Sequence, residues 1–134
     1  LKEFKNTSLL ESFLKELKPS IVLNCAGITK HSPNIKNISE VLYINSIFPR
    51  NLSEICSALK IRLIHLSSDC IFSGSSGMYK DKSFPDANDL YGISKALGEI
   101  DKENHLTIRT STIGHEAQTS YGLLNWLFGI VSCH

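Results

Sequence analysis

Ile21-Val22-Leu23-Asn24-Cys25-Ala26-Gly27 is the stretch on which the reading of this chain turns. Its first three residues are apolar, two of them β-branched, and no polar residue alternates with them. That is the form of a strand covered on both faces, which belongs to a parallel sheet. The strand runs out into Asn24, Cys25, Ala26 and Gly27, where small side chains let the backbone come close to a neighbour. Two neighbours fit: a tightly packed helix, or a ligand at the carboxyl end of the strand.

On the amino side of this strand, Leu9, Leu10, Phe13, Leu14 and Leu17 recur at helical spacing and predict an amphipathic helix over residues 8–18, ending before Pro19. On the carboxyl side, residues 29–37 are polar and hold Pro33, so a loop is expected. Val41, Ile44, Phe48, Leu52, Ile55 and Leu59 then step by three or four and predict a long helix over residues 39–60, which Pro49 must kink or divide. Residues 62–66 and 105–109 predict two further strands. Between them, residues 70–88 contain Gly74, Gly77 and Pro85 and no periodicity, a long excursion of the kind that is often functional. A helix follows, capped by Asn88 or Asp89, with Leu90, Ile93, Leu97 and Ile100 as its inward positions. Residues 122–131 predict the start of another. Helices and strands in this order build an α/β, Rossmann-like parallel sheet with helices on both faces, joined by right-handed crossovers.

Composition narrows the function. With 134 residues, 42% hydrophobic and 20% charged, the chain has the makeup of one soluble globular domain. Its 14 basic and 13 acidic residues are scattered, so no basic stripe points to nucleic acid. No apolar run approaches the roughly 20 residues of a membrane helix, and the first residues lack the form of a signal peptide. Neither a membrane nor a nucleic acid is expected as partner. Cys25, Cys56, Cys70 and Cys133 form no CxxC pair and suit reduced thiols in the cytoplasm better than a disulfide framework. His31, His65, His105 and His115 are not at ligand spacing, so no metal site is expected.

The candidate chemistry lies in Asp89-Leu90-Tyr91-Gly92-Ile93-Ser94-Lys95-Ala96-Leu97-Gly98-Glu99, where Tyr91 and Lys95 share one face of a helix. An ammonium beside a phenol favours the phenolate, so Tyr91 is expected to titrate below its usual value of about 10 and to exchange a proton near neutral pH. Alone the pair is weak, because the same spacing arises by chance on solvated helices. The strand ends strengthen it: Asn24 to Gly27, Ser67-Ser68-Asp69 and Thr110-Ser111-Thr112 all fall where parallel sheets gather ligands. The return from the second strand to the tyrosine helix can bring the Ser68 hydroxyl to the phenol and to Lys95. Asn45 reads equally as a structural hydrogen bonder or a cofactor neighbour, and Tyr43 and Tyr79 take no role.

Asn24-Cys25-Ala26-Gly27-Ile28-Thr29, Ile44-Asn45, Ser67-Ser68-Asp69-Cys70-Ile71-Phe72-Ser73-Gly74, Tyr91-Gly92-Ile93-Ser94-Lys95 with Gly98-Glu99, and Arg109-Thr110-Ser111 make an ordered set. The set resembles the extended short-chain dehydrogenase/reductase superfamily and, within it, the dTDP-4-dehydrorhamnose reductase-like sugar-nucleotide enzymes. The resemblance implies NADP or NAD as cofactor and a nucleoside-diphosphate 4-keto sugar as substrate. Carried over residue by residue, Tyr91 protonates the substrate's C4 oxygen, Lys95 holds the nicotinamide ribose hydroxyls and Ser68 hydrogen-bonds the carbonyl oxygen. Asp69 contacts the substrate, and the backbone of Cys25, Ala26 and Gly27 passes along the cofactor. The implied activity is reduction in the making of a deoxysugar for surface polysaccharide. Epimerase or dehydratase chemistry on the same scaffold is the alternative, as is a non-catalytic dinucleotide-binding subunit similar to the β subunit of methionine adenosyltransferase. A homodimer of the full-length protein is compatible with either.

The chain departs from the family pattern in two places. Thr112 stands where the rhamnose reductases usually have an aromatic residue, which leaves the sugar open. No GxxGxxG turn is present, although that turn binds the cofactor pyrophosphate. Residues 1–134 are therefore expected to be a partial NAD(P)-binding Rossmann-like domain, the middle portion of a longer enzyme. Such a piece lacks the N-terminal βαβ units and the C-terminal substrate region, is inactive alone, and leaves the strand at residues 21–23 as an exposed apolar edge.

Overall fold

The computed structural model describes residues 5–111, together with Leu124 and Leu127, which are helical. The remainder of the helix expected over residues 122–131, and Thr112, His115 and Cys133, lie outside the described residues. Three parallel strands form one sheet in the order β1 (Ile21–Asn24), β2 (Arg62–Leu66), β3 (Leu106–Ile108). Asn24 pairs with His65 across the first ladder, and Leu66 with Ile108 across the second. The all-parallel sheet is the one that the unalternating apolar run predicts.

Helix α1 (Thr7–Leu17) begins at Asn6, whose side chain accepts the Leu9 N–H, and ends on Lys18 in a left-handed conformation just ahead of Pro19. Residues 29–37 form the expected loop, with one 3₁₀ turn at Pro33–Lys36. Pro49 divides the long helix by a wider turn rather than a break. Helix α2 (Ile38–Leu42) passes through a π turn (Tyr43–Ile47) into α3 (Phe48–Ala58). The proline then falls in the first turn of α3, where its missing N–H costs little. Val41, Ile44, Phe48, Leu52 and Ile55 are all buried, as their spacing predicts.

The core lies between the helices and one face of the sheet. Leu14, Phe48, Leu52, Ile55, Cys56, Ile61, Leu63 and Ile100 form its main cluster, and Ile28, Val41 and Ile44 a second. Strand side chains alternate between faces. Val22 and Leu63 pack into the core, whereas Ile21, Leu23, Leu106 and Ile108 are 52%, 58%, 41% and 38% exposed. Among the described residues the helices thus cover one face, and the other is open.

Helix α4 (Leu90–Gly98) is capped by Asp89, whose side chain accepts the Gly92 N–H. Its buried face corrects the expected one: Gly92, Ser94, Lys95 and Gly98 face inward, while Ile93 and Leu97 are exposed. Of the four expected inward positions, Ile100 is buried just beyond the helix and Leu90 is half-buried. The reason is close approach. A Cβ on Gly98 would overlap the Asn45 carbonyl oxygen, and one on Gly92 the Cys70 carbonyl oxygen. Backbone meets backbone along this seam, so small side chains line it and the branched ones turn outward. No helix among the described residues is long and apolar enough to cross a membrane.

Candidate active site

Polar residues collect at the carboxyl ends of β1 and β2 in two layers, a buried floor and a more open mouth. Asn45, on the π turn, is the centre of the floor and is fully buried. Its Oδ1 accepts the Ile28 N–H at 2.8 Å, and its Nδ2 donates to the Ile28 carbonyl at 2.9 Å and to Ser94 Oγ at 3.0 Å. A buried amide that pairs both backbone groups of one residue fixes the loop leaving Gly27. Of the two roles open in the sequence, Asn45 fills the structural one.

Asn24 and His65 form the second element of the floor. Asn24 Oδ1 accepts the Ala26 N–H at 3.1 Å, so its amide nitrogen faces His65 Nδ1, also at 3.1 Å, as a donor. The ring is then neutral with its proton on Nε2, a nitrogen that has no partner among the described residues. Burial, helped by the charge of Lys95, pushes His65 down to about 4. Lys95 itself is only 4% exposed and donates to the Leu66 carbonyl at 2.6 Å. Burial lowers its pKa, opposed by the charge of Glu99.

Gly27 differs from the glycines of α4. A Cβ there would lie 3.6 Å from Asn45 Oδ1 and 3.9 Å from Lys95 Nζ, ordinary contacts both. The protein's own packing therefore does not demand a glycine at this turn, and the space beside its exposed backbone faces the lysine. Cys25 is exposed and Ala26 half-buried.

The mouth begins at Ser68, which is buried and starts a 3₁₀ turn at Asp69–Ile71. Its Oγ accepts the Cys70 N–H at 3.1 Å and donates to Asp69 Oδ1 at 3.2 Å. Ser111 donates to Asp69 Oδ2, and this bond chiefly holds the Asp69 carboxyl below the usual carboxylate range. Tyr91 is half-buried beside them. Burial is the largest influence on its phenol and raises the pKa above the usual value; a hydrogen bond with Ser68 pulls the other way. The sequence led us to expect a phenol lowered by Lys95. That expectation fails, because burial outweighs the rest and Lys95 turns its ammonium to the Leu66 carbonyl.

Ser68, Asp69 and Tyr91 thus meet at the end of β2, while Lys95 and Gly27 meet on the floor. Two participants, Lys30 and His65, escaped the sequence reading, and a third, Glu99, stood in the ordered set without a role. Lys30 lies 6.0 Å from the Tyr91 ring centroid, and its only signal is its place just past the Gly27 turn. His65 was hidden as one polar residue in an apolar strand. Glu99 accepts from Arg109 Nε at 2.9 Å and from Nη2 at 2.8 Å, while Arg109 Nη1 donates to the Asp81 carbonyl at 2.7 Å. This clamp holds the excursion of residues 70–88 against β3, and the guanidinium lies 5.3 Å over the Phe72 ring. No group of histidine, cysteine or acidic side chains suited to a metal occurs among the described residues.

A parallel sheet with a serine at one strand end and a tyrosine and lysine on the next helix defines a class, the Rossmann-like domain with a serine–tyrosine–lysine set. The chain belongs to the family described as the RmlD substrate binding domain, whose model matches residues 2–123. Methionine adenosyltransferase 2 subunit beta of Xenopus laevis is 27% identical over 95 residues, 67% of this chain and 27% of that protein. dTDP-4-dehydrorhamnose reductase of Streptomyces griseus is 31% identical over 91 residues, 67% of this chain and 30% of that protein. A solved structure, a hypothetical dTDP-4-dehydrorhamnose reductase from Sulfolobus tokodaii, superposes with a TM-score of 0.76 at 28% identity, covering 83% of this chain and 41% of its own. The chain spans less than a third of the length of these two curated relatives.

Proposed function

We propose that the protein to which these residues belong reduces the keto group of a nucleoside-diphosphate 4-keto sugar, with NADPH or NADH as reductant, in the making of a deoxysugar for surface polysaccharide. The observation that carries this reading is the meeting of the Ser68 hydroxyl and the Tyr91 phenol at the end of β2, with Lys95 one helical turn further on. The Streptomyces griseus relative, named as a dTDP-4-dehydrorhamnose reductase, supports the substrate class.

The chemistry follows from the state of each group. The raised pKa of Tyr91 keeps its phenol protonated at neutral pH, the state a proton donor to a ketone requires. As the carbonyl carbon takes up hydride, its oxygen gains negative charge, and the Ser68 and Tyr91 hydroxyls are the donors that stabilise it. Tyr91 then gives up its proton, so that ketone, hydride and proton sum to an alcohol, and the phenol is reprotonated from solvent. Asp69, kept ionised by Ser111, is an acceptor for a sugar hydroxyl. When bound, the dinucleotide supplies the hydride and is oxidised in doing so. The residues present fit its ribose end. Lys95 has three donors, and the Leu66 carbonyl takes one. The exposed turn of Cys25, Ala26 and Gly27 offers its backbone beside that ammonium. The free thiols Cys25, Cys56 and Cys70 support a cytoplasmic setting.

Product analysis of the full-length protein with dTDP-4-dehydrorhamnose tests this. Oxidation of NADPH matched by formation of the hydroxy sugar is expected, with no conversion when reductant is omitted. Conversion without reductant would instead mean epimerase or dehydratase chemistry. No conversion at all, with stable association to a methionine adenosyltransferase, would favour the regulatory reading.

A further inference from the structure

Tyr91 has a second lysine near it. Lys30, in the loop between β1 and α2, places its ammonium 6.0 Å from the centroid of the Tyr91 ring. It is held there by Asp89, whose Oδ2 lies 2.9 Å from Lys30 Nζ. The other oxygen of the same carboxylate accepts the Gly92 N–H at 2.9 Å and so starts α4. One aspartate therefore fixes both the helix that carries the tyrosine and the cation that faces its ring. Lys95, on the buried side, is engaged with the Leu66 carbonyl.

We propose that Lys30 is a positioning residue for the proton transfer at Tyr91: its ammonium, moored on Asp89 beside the ring, stabilises the ionised phenol and sets the pH range over which Tyr91 exchanges its proton. The consequence for turnover rests on the reading of Tyr91 as the proton donor; the electrostatic coupling does not. A cation within about 6 Å of an aromatic face is attracted to it, and the attraction to a phenolate is greater because a full charge has formed. The groups around the phenol come from three elements. Ser68, Asp69 and Cys70 face it from the end of β2, Lys30 from the loop after β1, and Asp89 and Lys95 belong to its own helix and cap. Asp69 and Cys70 oppose ionisation of the phenol, while Lys30 favours it. The hydrogen bond to Asp89 raises the pKa of Lys30, so the ammonium is still charged where a phenol ionises.

The test uses the full-length protein with 3,5-difluorotyrosine in place of Tyr91. Fluorination brings ionisation of that one phenol down to a pH at which the other tyrosines stay protonated, and near-ultraviolet absorbance follows it. Lys30→Met is expected to raise the midpoint by about 0.5 pH unit, the size of a screened interaction at this separation. Lys30→Arg is expected to restore it, which a merely structural tie would not require. An unchanged midpoint in Lys30→Met, with circular dichroism showing a folded chain, would overturn the coupling. In the full-length protein, Lys30→Met is expected to displace the pH profile of kcat by the same amount. A displaced midpoint with an undisplaced kcat profile would leave the coupling intact and overturn instead the reading of Tyr91 as proton donor.

Discussion

The floor and the mouth of the candidate site lie side by side but are held by different forces. On the floor, Asn24, Asn45, Ser94 and Lys95 are buried, and their polar atoms are directed at backbone groups and at one another. At the mouth, Lys30 and Asp69 are exposed and act on the half-buried Tyr91 through charge, and Lys30 is paired with the half-buried Asp89. A change to one of these buried floor side chains disturbs the fold, whereas a change at Lys30, Asp69 or Tyr91 alters chemistry and leaves the fold intact. Substitutions can sharpen that contrast or break it.

The largest effect is expected at the seam between α4 and the π turn. Gly98→Ala forces a methyl group into the Asn45 carbonyl oxygen, and backbone cannot move aside as a flexible side chain does. Destabilisation of about 3 kcal/mol or more is expected in urea denaturation; a loss below about 1 kcal/mol would show the seam to be looser than described. Next comes His65. It titrates at about 4 in the folded chain against an ordinary 6.5, so between those values the unfolded chain binds a proton that the folded chain refuses. Stability is full above pH 6.5 and falls as the pH drops toward 4, by about 3 kcal/mol at most. His65→Gln retains an acceptor for the Asn24 amide and should flatten that slope; a slope that persists would assign the loss to other groups. Asn45→Leu strands the Ile28 N–H and carbonyl, at a cost of about 2 kcal/mol.

The smallest effect on stability is expected at Gly27, where a Cβ meets only ordinary contacts. Gly27→Ala should move the unfolding free energy by less than about 0.5 kcal/mol. It should nonetheless weaken dinucleotide binding by the full-length protein, measured by fluorescence titration. Unchanged affinity would remove this turn from the cofactor's path.

Much of the fold was legible because apolar runs and their spacing are what packing requires. The residues 21–23 run implied a parallel strand, and Val41, Ile44, Phe48, Leu52 and Ile55 lie in the core where their period puts them. The face of α4 was not legible by the same logic. Periodicity counts apolar side chains, but the seam with the π turn is so close that Gly92, Ser94 and Gly98 occupy it, and Ile93 and Leu97 are displaced to the surface. The site was legible where order along the chain carries information, at Ser68, Asp69, Tyr91 and Lys95. Lys30 is tied to a partner far along the chain, Asp89, and an isolated charge has no spacing to read. The sign of the Tyr91 shift was out of reach for a related reason, since burial decides it and burial is set by tertiary packing.

The claim at the centre is that Tyr91 belongs to the chemistry and not to the fold. NADPH oxidation by the full-length protein with dTDP-4-dehydrorhamnose, compared between wild type and Tyr91→Phe, tests it most directly. The variant keeps the ring and loses only the proton, so kcat is expected to fall by about 10²–10⁴-fold with the denaturation midpoint unmoved. A rate that survives the substitution would contradict the account.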